Sequence, residues 1–208
     1  MKFEFPFVQL DFSNSFSLSL LVYCYTFLQE WIVKKLPAEK SILFILPKKK
    51  FNETEFLVTK RILERHGFKI FIASDAASLC VGRNGLKIKP DVVFFNMNEN
   101  NFRGIVFIGG SGVKEYWENR VLHNVAQKFL KQKKLVTAIC SAPVILANAG
   151  ILKKIDATCY PADKQELLKE GGCYLDAPVV VRKYIITARD SESSEEFAET
   201  IVAKLNES

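Results

Sequence analysis

From Ser41 to the C-terminus, short apolar runs separate longer segments whose apolar residues return every three or four positions. The runs SILFILP at 41–47, FKIFIA at 68–73, DVVFF at 91–95, GIVFI at 104–108 and LVTAI at 135–139 have the length and composition of buried strands. Two more strands are predicted at 157–160 and 184–187. Residues 52–66 predict a helix that Gly67 stops. Residues 115–134 predict a long helix on the spacing of Trp117, Val121, Val125, Phe129 and Leu130. A short helix at 143–149 ends at Gly150, and a closing helix at 193–205 carries Glu195, Glu196 and Glu199 toward its N-terminal half. Strands that are apolar throughout, alternating with helices, imply an α/β fold with a mostly parallel sheet covered on both faces.

Residues 1–39 lack this alternation. The stretch 16–33, FSLSLLVYCYTFLQEWIV, is apolar and aromatic, broken by Gln29 and Glu30 and closed by Lys34 and Lys35. A signal peptide is not expected here: Lys2 is offset by Glu4 and Asp11, and no small-residue cleavage site follows. Its cleanly apolar part, 16–28, is shorter than the ~20 residues that span a bilayer. We read 1–39 as an apolar extension, a helix or arm packed on the domain at 40–208 or on a partner. A disordered arm, a start upstream of the true one and a membrane anchor are the alternatives. As an anchor, Lys34 and Lys35 would place the domain on the cytoplasmic side.

Composition narrows the function classes. The net charge is +6, but the lysines lie in short scattered groups without an aromatic-interleaved stripe, so no nucleic-acid partner is expected. The five cysteines, Cys24, Cys80, Cys140, Cys159 and Cys173, are odd in number and show no C-x-x-C spacing. A reduced, cytoplasmic setting follows. The only histidines, His66 and His123, sit in no ligand-like cluster, so no metal site is expected.

Candidate chemistry gathers at the carboxyl ends of the strands, where ligands bind in such sheets. Cys140 falls on a sharp strand-to-helix turn, where a helix N-terminus would ease the loss of its proton. Position alone leaves a buried, unreactive cysteine equally open. Ser141 beside it could donate its amide or cap the helix. Gly109 and Gly110 end the strand at 104–108 in a turn suited to holding an oxyanion. Glu55 lies in the first turn of the helix at 52–66 and could reach the same edge. Asn52-Glu53-Thr54-Glu55 also has the spacing of a capping box, which favours a structural role. His66 lies roughly 16 Å further along that helix, and His123 reads as a surface or packing residue. No cysteine–histidine triad can be assembled.

Together, GIVFIGGSG, KLVTAICSAPVILANAGIL and the acidic helix at Glu55 resemble the DJ-1/ThiJ/PfpI family of the class I glutamine amidotransferase-like superfamily. The resemblance runs from about Lys40 to the closing SEEFAETIV segment. It implies a flavodoxin-like three-layer sandwich with a cysteine nucleophile elbow, usually as a homodimer, and chemistry without a cofactor. By position, Cys140 matches the elbow cysteine, Glu55 the carboxyl that contacts its sulfur, and Gly109-Gly110 the oxyanion turn.

Three departures stand out. Members that hydrolyse peptides have histidine directly after the cysteine, where this chain has Ser141. Members resembling the human deglycase and glyoxalase carry histidine in a T-H-P segment, where this chain has Cys159-Tyr160-Pro161. Tyr160 cannot replace it, because a phenol is no base at neutral pH. Asp190-Ser191-Glu192 replaces a G-P-G-like turn. The resemblance implies a cytoplasmic glyoxalase or deglycase acting on a small carbonyl compound or a glycated adduct. A redox-sensing, chaperone-like stress protein working through Cys140 oxidation is the alternative, and a cysteine peptidase comes third.

Overall fold

The computed structural model describes residues 40–207. The extension at 1–39, with Cys24, lies outside the described residues. Twelve strands run along the described chain: β1 (Ser41–Ile45), β2 (Lys49–Phe51), β3 (Lys69–Ser74), β4 (Cys80–Gly82), β5 (Lys87–Ile88), β6 (Val92–Val93), β7 (Gly104–Phe107), β8 (Leu135–Ile139), β9 (Asp156–Ala157), β10 (Cys173–Tyr174), β11 (Val179–Arg182) and β12 (Ile185–Ala188). The helices are α1 (Glu53–Arg65), α2 (Arg120–Lys131), α3 (Pro143–Asn148), α4 (Lys164–Lys169) and α5 (Ser194–Asn206).

Seven strands form the central sheet in the order β11-β12-β8-β7-β1-β3-β6, with only β11 antiparallel to its neighbour. Side chains alternate across it, as a period of two requires. Leu43, Ile45, Ile105, Phe107, Val136 and Ala138 face one core with Leu122, Val125 and Phe129 of α2 and Leu146 of α3. Ile42, Phe44, Val106, Ile108 and Ile139 face the other core with Phe56 and Leu63 of α1 and Phe197 and Ile201 of α5. This is the expected flavodoxin-like three-layer sandwich. The apolar runs read as strands because both faces are buried.

Some elements differ from the sequence reading. The long helix expected at 115–134 begins only at Arg120. Asn119 accepts the N–H groups of Val121 and Leu122 and starts a new helix, while Ser111–Tyr116 forms a 3-10 turn. Trp117 thus lies before the helix whose spacing it joined. The strand expected at 91–95 shrinks to β6 at the sheet edge. Phe94–Asn96 turns away in a 3-10 turn, leaving Phe95 83% exposed. The strand expected at 157–160 ends at Ala157, because the Thr158 N–H bonds Thr187 Oγ1 at 2.9 Å. A small sheet, β2-β4-β5, and the edge strand β11 were not anticipated.

Candidate active site

β8 carries Cys140 to the carboxyl edge of the sheet. The Cys140 N–H extends the ladder to Ala188 O at 3.0 Å, and its carbonyl accepts from Tyr160 N–H at 2.7 Å. Between these bonds the residue adopts φ +64°, a left-handed conformation that costs an ordinary side chain about 1–2 kcal/mol. The sharp turn points the side chain at α1. Cys140 is 8% exposed.

Glu55 arrives from the first turn of α1. The cap at Asn52 forms as its spacing implied, with Asn52 Oδ1 accepting from Thr54 N–H at 3.1 Å and Glu55 N–H at 3.3 Å. The returning half of the capping box does not form. The Asn52 N–H goes instead to Gly109 O at 3.0 Å, and Glu55 Oε2 accepts the Gly109 N–H at 2.9 Å. The cap and the site are therefore one structure.

Glu55 is fully buried, and its Oε1 has no hydrogen-bond partner of regular geometry. The Cys140 thiol is nevertheless among its interacting neighbours. Burial pushes the Glu55 carboxyl up to about 8, against the opposing pull of Cys140 and Gly109, and the charge of Asp190 adds to the rise. The Cys140 thiol is pushed up to about 12 by burial first and by the Glu55 charge second, while the Gly110 N–H and Ser141 stabilise its thiolate. This overturns the expectation of an easily ionised thiol. α3 has only six residues and starts at Pro143, so its N-terminus does not outweigh burial. The two groups titrate as a pair.

The glycine turn splits its work. Gly109 binds the carboxyl, so its amide is not available to an oxyanion as the resemblance implied. Gly110, at φ +107°, presents its N–H to the sulfur. A methyl group on Gly109 would lie 2.6 Å from Cys140 Cβ and 2.7 Å from Glu55 Oε2.

On the other side of Cys140 is a network that sequence reasoning missed. Ser141 Oγ lies 3.9 Å from Cys140 Sγ and donates to Asp163 Oδ2 at 2.6 Å. Asp163, 3% exposed, pairs with Lys114. The Lys114 ammonium sits 5.0 Å over the Trp117 ring, whose Nε1 donates to Ser141 O at 2.9 Å. Asp163 follows Pro161 in a short turn and Lys114 lies in another turn, so neither had a pattern to mark it. Tyr160 is held beside the elbow through its backbone and is 44% exposed. Neither histidine joins the site: His66 Nδ1 contacts Ile62 O at 3.0 Å, and His123 Nε2 contacts Trp117 O at 2.7 Å. Among the described residues, no group of three His, Cys, Asp and Glu side chains could hold a metal ion.

A covered parallel sheet that ends in a strained cysteine set against a buried carboxyl defines a flavodoxin-like protein with a cysteine elbow. Within that class the chain belongs to the DJ-1/PfpI family, whose model matches residues 40–204. It is 31% identical over 168 residues to a glutathione-independent glyoxalase of Caenorhabditis elegans, covering 81% of this chain and 90% of that one. It is 30% identical over 149 residues to a deglycase of Pyrococcus horikoshii, covering 72% and 89% respectively. The crystal structure of a ThiJ/PfpI domain protein from Brachyspira murdochii superposes with a TM-score of 0.80 at 31% identity, over 82% of this chain and 99% of that one.

Proposed function

We propose that the chain is a cofactor-free glyoxalase or deglycase acting on α-oxoaldehydes, or on the hemithioacetals and aminocarbinols they form with thiols and amines. The observation that carries this reading is the buried Glu55 carboxyl held against Cys140 by Gly109, with the Gly110 N–H on the sulfur. The names of the relatives from C. elegans and P. horikoshii point the same way.

At neutral pH a carboxyl that titrates at about 8 is an acid. As the Cys140 sulfur adds to the aldehyde carbon its own proton leaves to solvent, while Glu55 gives its proton to the carbonyl oxygen and becomes a carboxylate. The carboxylate then takes the C1 proton and returns it at C2, as the proton of the C1 hydroxyl passes to the C2 oxygen. This converts the hemithioacetal to a 2-hydroxyacyl thioester without net oxidation. Water cleaves the thioester: its hydroxyl joins the acyl carbon as the C–S bond breaks, its other proton restores the thiol, and the acid so formed returns a proton to Glu55 and leaves as the 2-hydroxy carboxylate. In this reading the Gly110 N–H and the Ser141 amide hold the oxyanion of that last step.

No helix among the described residues is long and apolar enough to cross a membrane. We propose a cytoplasmic setting and a homodimer as parts of the same reading. The test is lactate formation from methylglyoxal by wild type, C140S and E55Q. Catalytic turnover that both variants lose supports the reading, and turnover that survives in C140S rejects it.

A second reading has its own support in the neutral Glu55. A protonated carboxyl can hydrogen-bond an oxidised sulfur, so two equivalents of peroxide could convert Cys140 to a stabilised sulfinate in a redox-sensing stress protein. Intact mass after graded peroxide separates the two. Selective gain of two oxygens at Cys140 without methylglyoxal turnover favours the sensor. The peptidase reading gains nothing, since neither histidine reaches Cys140.

A further inference from the structure

At the edge of the sheet opposite Cys140, a cavity of about 500 Å³ is lined by five cationic side chains, Arg103, Lys133, Lys134, Lys183 and Lys204. That size is ordinary for a small-molecule site. Strand pairing assembles it. β7 pairs Gly104 with Leu135 of β8, and β8 pairs Val136 with Ile185 of β12. Arg103, Lys134 and Lys183 therefore stand side by side just before three neighbouring strands, about 5 Å from one strand to the next. Like charges placed side by side on adjacent strands repel. From Lys134 to Cys140 the chain runs roughly 20 Å along β8, so this is a second place on the fold.

Local structure accounts for only part of this charge. Glu207 is the one carboxylate among the described lining residues, and Lys204 holds it at 2.5 Å. Arg103 Nη2 donates to Leu205 O in the last turn of α5, and Lys134 Nζ donates to Glu99 O at 2.6 Å. Carbonyls at helix ends attract cations in this way. Lys133 and Lys183 have no such task. Among the described residues, neither side chain makes a hydrogen bond or an ion pair. Both also hold left-handed backbone, at φ +56° and +52°, where glycine fits without steric cost. Lys183 lies between β11 and β12, so no helix end calls for its charge. Two turns thus carry a strained lysine where glycine would serve, and both lysines line the same cavity. Burial also holds the Lys134 ammonium below the usual lysine value, against the pull of the Glu99 charge. An anion in the cavity would favour its charged form.

We propose that this cavity binds the oligophosphate group of a small molecule, a linear anion of two or more phosphates. The row of cations spans two strand spacings, about 10 Å, which suits a chain of phosphates better than a single one. Lys133 and Lys183 supply ammonium groups for the phosphate oxygens, and the Arg103 guanidinium adds its charge. The lining is not wholly polar. Leu135 and Leu205, both buried, contribute to it, and Tyr184, 38% exposed, offers a ring for the organic part of a nucleotide. Inorganic oligophosphate and a nucleoside triphosphate share the phosphate chemistry, and the ring contact separates them. Binding here needs nothing of the chemistry at Cys140.

The test is isothermal titration calorimetry of the full chain at pH 7 in low salt, with tripolyphosphate, ATP and adenosine as probes and no divalent metal. Tripolyphosphate is expected to bind once per chain and to weaken as salt rises. K133G and K183G should each weaken it about tenfold, the loss of one charge-assisted contact, and together about a hundredfold. Both glycine variants should melt no lower than wild type, because each removes backbone strain along with the charge. K169A, which removes an exposed charge from α4, should bind as wild type does. ATP binding tighter than tripolyphosphate, with the difference lost in Y184A, supports the site as one for a nucleotide. Equal binding of the two, with none of adenosine, supports it as a site for the phosphate chain alone. The proposal is overturned if tripolyphosphate shows no saturable binding, or if K133G and K183G leave its affinity unchanged. It is overturned equally if K169A lowers that affinity as much as they do.

Discussion

The Gly109 N–H meets Glu55 Oε2 at 2.9 Å, at a point where a Cβ on Gly109 would also lie 2.6 Å from Cys140 Cβ. Glycine is thus the spacer that lets the carboxyl and the thiol share one pocket. Ile139 O stands 2.7 Å from the same point, so the backbone cannot simply shift away. Gly109→Ala is expected to cost about 1–3 kcal/mol of stability, the usual range for overpacking. It should also lower lactate formation at least tenfold. Thermal unfolding and a turnover assay check both, and an unchanged melting temperature would contradict the geometry.

Glu55 gives the fold a pH-dependent weakness. Its folded-state value of about 8 lies above the 4.5 of a free carboxyl, so between these values the folded chain keeps a proton that the unfolded chain has released. Its contribution to stability is therefore full below pH 4.5 and is lost as pH rises through 8. A shift of this size corresponds to about 5 kcal/mol. Urea unfolding between pH 5 and 9 should show wild type weakening across the window, and Glu55→Gln, which cannot ionise, weakening far less.

Much of this site was legible in the chain. Cys140, Glu55 and the glycine pair were all marked, because each sits where an apolar run stops and a turn or helix begins, and the structure brings them together. The role of Gly109 was not legible: glycine at a strand end suits an oxyanion and a carboxylate equally, and only the packing of α1 decides. The thiol's rise was misjudged because a helix N-terminus can be read from sequence while burial at the site cannot. Asp163 and Lys114 escaped because they meet only through the tertiary packing of two turns. Trp117 misled for a related reason. Its spacing fitted a helix that Asn119 in fact restarts.

The Cys140–Glu55 pair predicts a step in the pH dependence of Cys140 alkylation by iodoacetamide. The pair loses its first proton near the Glu55 value of about 8, and Cys140 reactivity in wild type should rise there. In Glu55→Gln that rise should vanish. The remaining limb should lie above the usual thiol value of 9.0, because burial, the largest cause of the Cys140 rise, stays in place. Rates measured from pH 7 to 10.5 decide. A wild-type rise that persists near 8 in the variant would mean that Glu55 is not the group titrating.

Cys140 itself holds a conformation that suits glycine. At φ +64° its Cβ is strained by about 1–2 kcal/mol, whatever side chain it carries. Alanine at this position keeps the strain and loses the sulfur's packing, whereas glycine loses the packing and releases the strain. In an ordinary strand or helix, glycine is less stable than alanine by roughly 0.5–1 kcal/mol. Here that order should reverse or disappear, with Cys140→Gly at least as stable as Cys140→Ala and both devoid of turnover. Paired urea unfolding curves at pH 6, where Glu55 is neutral in both variants, isolate the backbone effect. A Gly variant weaker than the Ala variant by the ordinary margin would mean that the elbow carries no strain, and that the left-handed turn is not what holds the sulfur against Glu55.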